Sequence, residues 1–342
     1  MRTRVFATAA IALALFGCPK DQPPGGGGPA PSSSGAPTGE KRLKIAVVPK
    51  GTTHEFWKSV HAGAVKASRE DSVDIVWKGP LKEDDLKGQI DVVQSFVAQG
   101  VSGIVLAPLS DKGLVAPVKA ATQAKIPVVV FDSDLQGEDW VSFVATDNQA
   151  AGKLGGEFLM KAVGQKGNVA VLRYQEGSAS TANREKGFLD AAKATAGVKI
   201  VSDNQYGGAT TETAFATSES LLAAQKAGAG GLDAVFAPNE STTFGMLLAL
   251  KKQKLEGKVR FVGFDASDKL VQAVRDGHID GLVLQNPFKM GYLAVKTMVS
   301  HLRGQKVERR IDTGATVVSK ADIDKPEMKE LLAPDLKKWL GE

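Results

Sequence analysis

The chain has 342 residues, of which 43% are hydrophobic and 24% charged, a globular composition with enough length for two domains. Its formal charge of +5 is spread over basic residues interleaved with acids, so no basic stripe suggests a nucleic-acid surface. With a single cysteine, neither an internal disulfide nor a cysteine-rich metal site can form.

The first residues, MRTR, are a short basic start. VFATAAIALALF (Val5 to Phe16) is an apolar run too short to span a bilayer. Gly17 then precedes Cys18, and the LFGC ending resembles a bacterial lipobox. This predicts a signal peptide over 1–17 and a lipid on Cys18. Pro19 to Gly39 is almost wholly Pro, Gly, Ser and Ala, which cannot bury a core and reads as a disordered tether. As a coil it spans about 25 Å end to end. The expectation over 18–42 is a lipidated cysteine and its leash, on an exported protein.

From Leu43 onward, β-rich runs alternate with amphipathic helical ones. KIAVVP, VDIVWK, GIVLAP, PVVVFD and VSFVAT form a first set, and NVAVLR, VKIVSD, AVFAP, RFVGFD and IDGLVLQ a second. IVLA and VVVF are apolar without alternation, as in strands buried on both faces of a parallel sheet. Between strands, spacings such as Phe56, Val60, Ala64 and Ala67 mark one face of a helix. The pattern predicts an α/β protein with two similar doubly wound domains.

Ligands of such sheets bind beyond the carboxyl ends of the strands, so the residues that end the strands are read together. They are His54, Phe56 and Trp57 in the HEFW turn, Asp132 and Ser133 after PVVVF, and Thr146, Asp147 and Asn148 after VSFVA. Asn239 follows AVFAP, Asp265 follows RFVGF, Gln285 follows GLVL, and Arg184 lies in STANREKGF. A polar group at one strand end is usually a cap or turn former, and Asp147 and Asn148 read as hinge ties and caps. Caps account for neither Arg184 nor the adjacent rings. Asp132, Asp265, Asn239, Gln285 and Arg184 can make paired hydrogen bonds to adjacent hydroxyls. Phe56 and Trp57 suit the apolar faces of a pyranose. The set predicts a carbohydrate cleft.

The order and spacing of these pieces resemble the ribose-binding-protein-like family of periplasmic sugar-binding proteins, the solute receptors of ABC importers. The resemblance covers about Leu43 to Lys320 and rests on HEFW, IPVVVFD, VATDN, ANREKGF, VFAPNE, VGFD and VLQNP. It implies type I binding-protein lobes joined by three crossings near Thr146, Gln285 and Thr313. The N-lobe would be 43–146 plus 286–311 and the C-lobe 147–285 plus 314–324, followed by a tail helix over 325–342 interrupted at Pro334. It also implies a monomer delivering a sugar or polyol to a permease; with the lipobox at Cys18, the expectation is a lipid-anchored protein at the periplasmic face of a bacterial membrane. His54, Phe56, Trp57, Asp132, Ser133, Thr146, Arg184, Asn239, Asp265 and Gln285 would line the site. Ser133 stands where ribose-specific members carry Arg, which points away from ribose itself. No C-lobe aromatic wall is identifiable in QYGGATTE, where Tyr206 is the ring nearby. With Asp132 and Asp265 set against Arg184, the expected solute is neutral.

DSDLQG, from Asp132, imitates the start of a calcium loop, but the twelfth position is Phe143 rather than Glu. No phosphate loop, HExxH helix or GxSxG elbow appears. The expectation is a protein without cofactor, metal or catalysis. A sugar-responsive repressor would need a DNA-binding helix-turn-helix before Leu43, where a leader and tether are read instead. A sensory binding protein reporting to a chemoreceptor or kinase remains the alternative.

Overall fold

The computed structural model describes residues 42–341; the expected leader, the lipid on Cys18 and almost all of the tether lie outside them. In the N-lobe, β1 (Lys44–Val48), β2 (Asp74–Trp77), β3 (Gly103–Leu106), β4 (Val128–Phe131) and β5 (Ser142–Ala145) alternate with α1 (Glu55–Asp71), α2 (Leu86–Gln99) and α3 (Val115–Gln123). The chain crosses into the C-lobe at α4 (Asn148–Ala162), followed by β6 (Lys166–Arg173), α5 (Ala179–Lys193), β7 (Gly197–Tyr206) and α6 (Thr211–Ala224). Next come β8 (Ala234–Phe236), α7 (Glu240–Gln253), β9 (Arg260–Phe264), α8 (Asp268–Arg275) and β10 (Gly281–Gln285). It returns to the N-lobe with α9 (Pro287–Leu302) and β11 (Arg310–Asp312), then crosses again to β12 (Ala315–Ser319).

The two six-stranded sheets have matching orders, β2-β1-β3-β4-β5-β11 and β7-β6-β8-β9-β10-β12. Every pairing is parallel except β10 with β12. This is the type I binding-protein architecture, two doubly wound lobes. Each sheet is covered on both faces, which explains the unbroken apolar runs. In the N-lobe, α1 and α9 cover one face and α2 and α3 the other. In the C-lobe, α6, α7 and α8 cover one face and α4 and α5 the other.

Close helix packing sets the position of the strand-end residues. A Cβ on Gly63 of α1 would lie 1.9 Å from the Phe288 carbonyl oxygen of α9, and one on Gly152 of α4 would lie 2.0 Å from the Arg184 carbonyl oxygen of α5. Only glycine lets these backbones touch. The first contact seats the helix that carries Phe56 and Trp57. The second seats the helix that carries Arg184.

The first and third crossings are tied to each other. Thr146 Oγ1 lies 3.3 Å from Thr313 Oγ1 and donates to the Gly314 carbonyl at 3.1 Å. Asp312 Oδ1 accepts from the Asp147 and Gly314 amides at 3.1 and 2.9 Å. The tail is a 3-10 turn (Pro326–Met328) and two short helices, α10 (Lys329–Leu332) and α11 (Leu336–Leu340), with Pro334 in the break between them. Ala333 leaves the helical region, at φ −147° and ψ 72°, as the residue before Pro334 is pressed to do by the proline ring. Leu332 is buried in the C-lobe core, while Arg69 of α1 donates to the Trp339 carbonyl at 3.0 Å. The tail thus links the lobes.

Candidate functional site

The carboxyl ends of both sheets face each other across an interlobe cavity of about 30 Å³. His54, Phe56, Trp57, Asp132, Arg184, Asn239, Asp265 and Gln285 all line it. Two of the ten expected residues do not. Thr146 is held in the crossing described above. Ser133, fully buried, accepts the Ser180 amide at 3.0 Å. Both hydroxyls are short groups occupied by backbone partners, so neither projects into the cavity.

Asp132 and Asp265 hold equivalent places, each following a phenylalanine at the end of β4 or β9. Both lie in the left-handed region, with φ of 61° and 67°, which aspartate tolerates better than most side chains. Each donates its amide to the neighbouring strand, to Val144 and Val283 respectively. The strained turn lifts each carboxylate off its sheet and into the cleft. Asp265 does not cap the next helix, whose N-cap is Ser267. It accepts instead from Gln285 Nε2 at 2.8 Å and the Glu240 amide at 3.1 Å. Burial raises its pKa above the ordinary range, against the pull of Arg184.

The C-lobe wall is held by its own lobe. Arg184 donates to Asn148 Oδ1 at 2.8 Å and the Pro238 carbonyl at 2.9 Å, and lies 4.2 Å over the Phe264 ring. Asn239 forms a capping box at the start of α7, accepting from the Thr242 amide at 3.2 Å. Asp147 likewise caps α4 through the Ala150 amide at 3.0 Å.

The N-lobe wall depends on residues not singled out from the sequence. Glu83, buried in the loop before α2, accepts from His54 Nδ1 at 2.7 Å, Trp57 Nε1 at 2.6 Å and Tyr174 Oη at 2.6 Å. Lys50 lies 3.1 Å from Asp132 Oδ2 as an ion pair, and donates to Ser178 and Ser180 of the C-lobe at 3.2 and 2.9 Å. Glu240 of α7 accepts from the Glu55 and Phe56 amides at 3.4 and 3.2 Å, across the lobes. Tyr174 is the fully buried ring that the C-lobe brings to this face; Tyr206 is exposed at the end of β7, under Arg173. Phe56 and Trp57 meet edge to face at 4.9 Å and belong to the N-lobe core, with only part of their surface on the cavity. One signal could have found the missing residues. Lys50 and Tyr174 each follow the first strand of a lobe, at the positions where a doubly wound sheet reverses its strand order. Glu83 sits in an irregular loop and had no such marker.

These additions change the charge count. Glu83 and Glu240 join the two aspartates, and Lys50 and His54 join Arg184. Burial alone would lower the His54 pKa, but the charge and hydrogen bond of Glu83, with Glu240 and Asp265 behind, raise it to about 9. Burial would raise Glu83, yet His54, Lys50 and the Tyr174 hydroxyl bring it down to about 2. Glu240 is raised to about 7, chiefly by burial and then by Asp265, outweighing His54 and the α1 amides. Near neutrality the cleft is therefore close to balanced, and a charged solute would bring in an uncompensated charge.

A model described as a periplasmic binding protein domain matches residues 45–306. The chain belongs to the periplasmic binding protein family. A D-ribose/D-allose-binding protein of Pseudomonas aeruginosa is 32% identical over 80% of this chain and 86% of its own. A solved ABC transporter solute-binding protein of Agrobacterium vitis, with bound D-fucose, superposes with a TM-score of 0.81 at 37% identity, covering 84% of this chain and 99% of that one. One from Agrobacterium radiobacter, in complex with D-arabinose, gives 0.81 at 33% identity over 85% and 99%. Like these relatives, the chain is a solute-binding protein and not an enzyme. No helix among its described residues is long and apolar enough to cross a membrane.

Proposed function

We propose that this binding protein captures a neutral sugar or polyol between its lobes and delivers it to an ABC transporter permease, held at the periplasmic face of a membrane by a lipid on Cys18. The observation that carries the reading is a set of unmet hydrogen bonds. Asp132 Oδ2, Arg184 Nη2 and Gln285 Oε1 are buried without a hydrogen-bond partner among the described residues, and all three side chains line the interlobe cavity. The ion pair with Lys50 offsets part of the charge on Asp132 and leaves its carboxylate room to accept. An orphaned buried polar atom costs about 1–3 kcal/mol. Gln285 Oε1 is wholly unmet, while Arg184 Nη2 has only a 4.0 Å ion pair with Asp132 and Asp132 Oδ2 only its ion pair with Lys50. The three on one cavity suit a solute rich in hydroxyls. The acceptors Asp132 and Gln285 and the donor Arg184 match a hydroxyl group's capacity to give and receive. The sugars named for the relatives support the same class.

At about 30 Å³, the cavity has room for a water or two, so entry of a sugar requires the lobes to part about the tied crossings. The bonds that span the lobes would yield to the solute and re-form around it, shifting the equilibrium toward the closed form that a permease reads. A thermal-shift panel tests the reading with D-ribose, D-allose, D-arabinose, D-fucose, D-galacturonate and ribose 5-phosphate. Ligand at 100 times its Kd adds about 2.7 kcal/mol of stability, and a neutral sugar should give that response. Stabilisation by the charged compounds alone would overturn it. For the anchor, Cys18→Ser should move the protein from the detergent-released membrane fraction to the soluble one, or leave the leader uncleaved.

A further inference from the structure

A second, larger chamber adjoins the interlobe cavity. It encloses about 480 Å³, within the range of small-molecule sites. Phe56, Glu240, Asp265 and Gln285 line both spaces, so these four side chains form a partition with one face in each. Beyond the partition one side of the chamber is apolar, formed by Phe244, Leu284, Pro287, Leu331, Leu332 and Leu336, and the other is polar, with Glu55, Thr211, Asp268 and Lys269 among its residues. Both lobes and the tail contribute. The tail is fixed at each end, by Leu332 in the C-lobe core and by Trp339, whose ring centroid lies 6.2 Å from that of Phe288 in the N-lobe.

We propose that this chamber is an aglycone subsite: the solute is a neutral glycoside whose sugar occupies the interlobe cavity and whose apolar substituent lies against Phe56, Phe244 and the tail leucines. The proposal rests on the sugar-binding reading of the cleft and adds the other half of the solute. The four shared side chains set the two spaces side by side. The boundary between them is closed by the Phe56 amide's bond to Glu240 across the lobes at 3.2 Å. That contact breaks when the lobes part and so opens the way for one solute to reach both. The chemistry of the far side is different: an aromatic and aliphatic wall gains by covering apolar surface and asks for no hydrogen bonds. Charge narrows the class further. Glu55, Glu240, Asp265 and Asp268 face this space against one cation among the described residues, Lys269, which lies 5.0 Å over the Phe244 ring. An anionic substituent is thereby disfavoured.

The experiment is calorimetric titration of the purified protein with matched pairs: D-ribose, D-galactose, D-fucose and D-allose, each against its phenyl glycoside, with lactose as a sugar-only extension. For whichever sugar binds, the phenyl glycoside should bind at least tenfold more tightly than the free sugar. That ratio should fall toward one in Phe244→Ala, which removes a wall, and in Ala333→Trp, which fills the chamber from an exposed tail position. Free-sugar binding, measured alongside, reports whether each variant is folded. A ratio at or below one in the wild type, a ratio unchanged in both variants, or a gain for lactose alone would each overturn the aglycone assignment while leaving sugar binding in place. Heat from no sugar and no glycoside would sink the sugar reading itself, and the subsite with it.

Discussion

The two lobes share one fold but hold their halves of the cleft differently. In the C-lobe, Arg184 is bonded to Asn148 and Pro238 and stacked on Phe264, and Asn239 is locked in a helix cap. These hydrogen bonds stay within the C-lobe, and Arg184 reaches across the cleft only through a loose 4.0 Å ion pair with Asp132. In the N-lobe, Glu83 and Lys50 find part of their partners across the cleft, in Tyr174, Ser178 and Ser180. One wall is preorganised, and the other is completed by closure. Preorganised groups bind at lower entropic cost, so the C-lobe should be the half that meets the solute first, while the N-lobe network reports that the cleft has shut.

The largest effect is expected where the preorganised wall is broken. Arg184→Ala should abolish sugar binding and destabilise the C-lobe by several kcal/mol, because it leaves the buried Asn148 and Pro238 acceptors without their donor, at about 1–3 kcal/mol each. Chemical denaturation with a C-lobe probe checks this; a variant as stable as the wild type would remove the basis of the comparison.

Glu83→Gln should act on closure instead. It removes the charge that pairs with His54 and weakens the bond to Tyr174, which spans the lobes. A loss of about 1–3 kcal/mol is expected, with a larger radius of gyration by small-angle scattering and C-lobe stability retained. Its pH signature is also distinct. His54 is raised to about 9, so its contribution is complete below its ordinary pKa of 6.5 and is lost as pH rises through 9. Glu83 is lowered to about 2, so its contribution is present above 4.5 and is lost as pH falls through 2. The variant should flatten both arms.

Glu240 has the opposite sign to Glu83 and the same sign as His54. With its pKa raised from 4.5 to about 7, the folded protein holds the extra proton, and stability should fall as pH climbs through that window. Glu240→Gln, which stays neutral, should remove this slope while keeping an acceptor for the α1 amides. Melting temperatures at pH 5 and pH 8 decide it; an unchanged slope would rule Glu240 out as its source. The smallest effect is expected at Tyr206, which lies on the surface outside both cavities. Tyr206→Ala should change stability by no more than about 0.5 kcal/mol and leave sugar affinity as it was. A clear loss of affinity would return that ring to the cleft and displace Tyr174 as the aromatic group of the C-lobe face.

The doubly wound lobes were legible in the sequence because parallel strands buried on both faces leave continuous apolar runs such as VVVF, and strand–helix alternation admits few topologies. Strand-end polar residues were legible for the same reason: once the strands are placed, Asp132, Asn239, Asp265 and Gln285 must gather at one edge, whereas Arg184 reaches it from within α5. Their partners were not. Glu83, Lys50, Tyr174 and Glu240 are far apart along the chain, and a lone acid in a loop has no periodicity to betray it. The left-handed turns at Asp132 and Asp265, the withdrawal of Ser133 and Thr146 into backbone hydrogen bonds, and the tail that walls the second chamber were likewise decided by tertiary packing. Local pattern reflects which face of each element meets water. Which charge meets which is fixed only when two lobes close and burial makes every unpaired group costly.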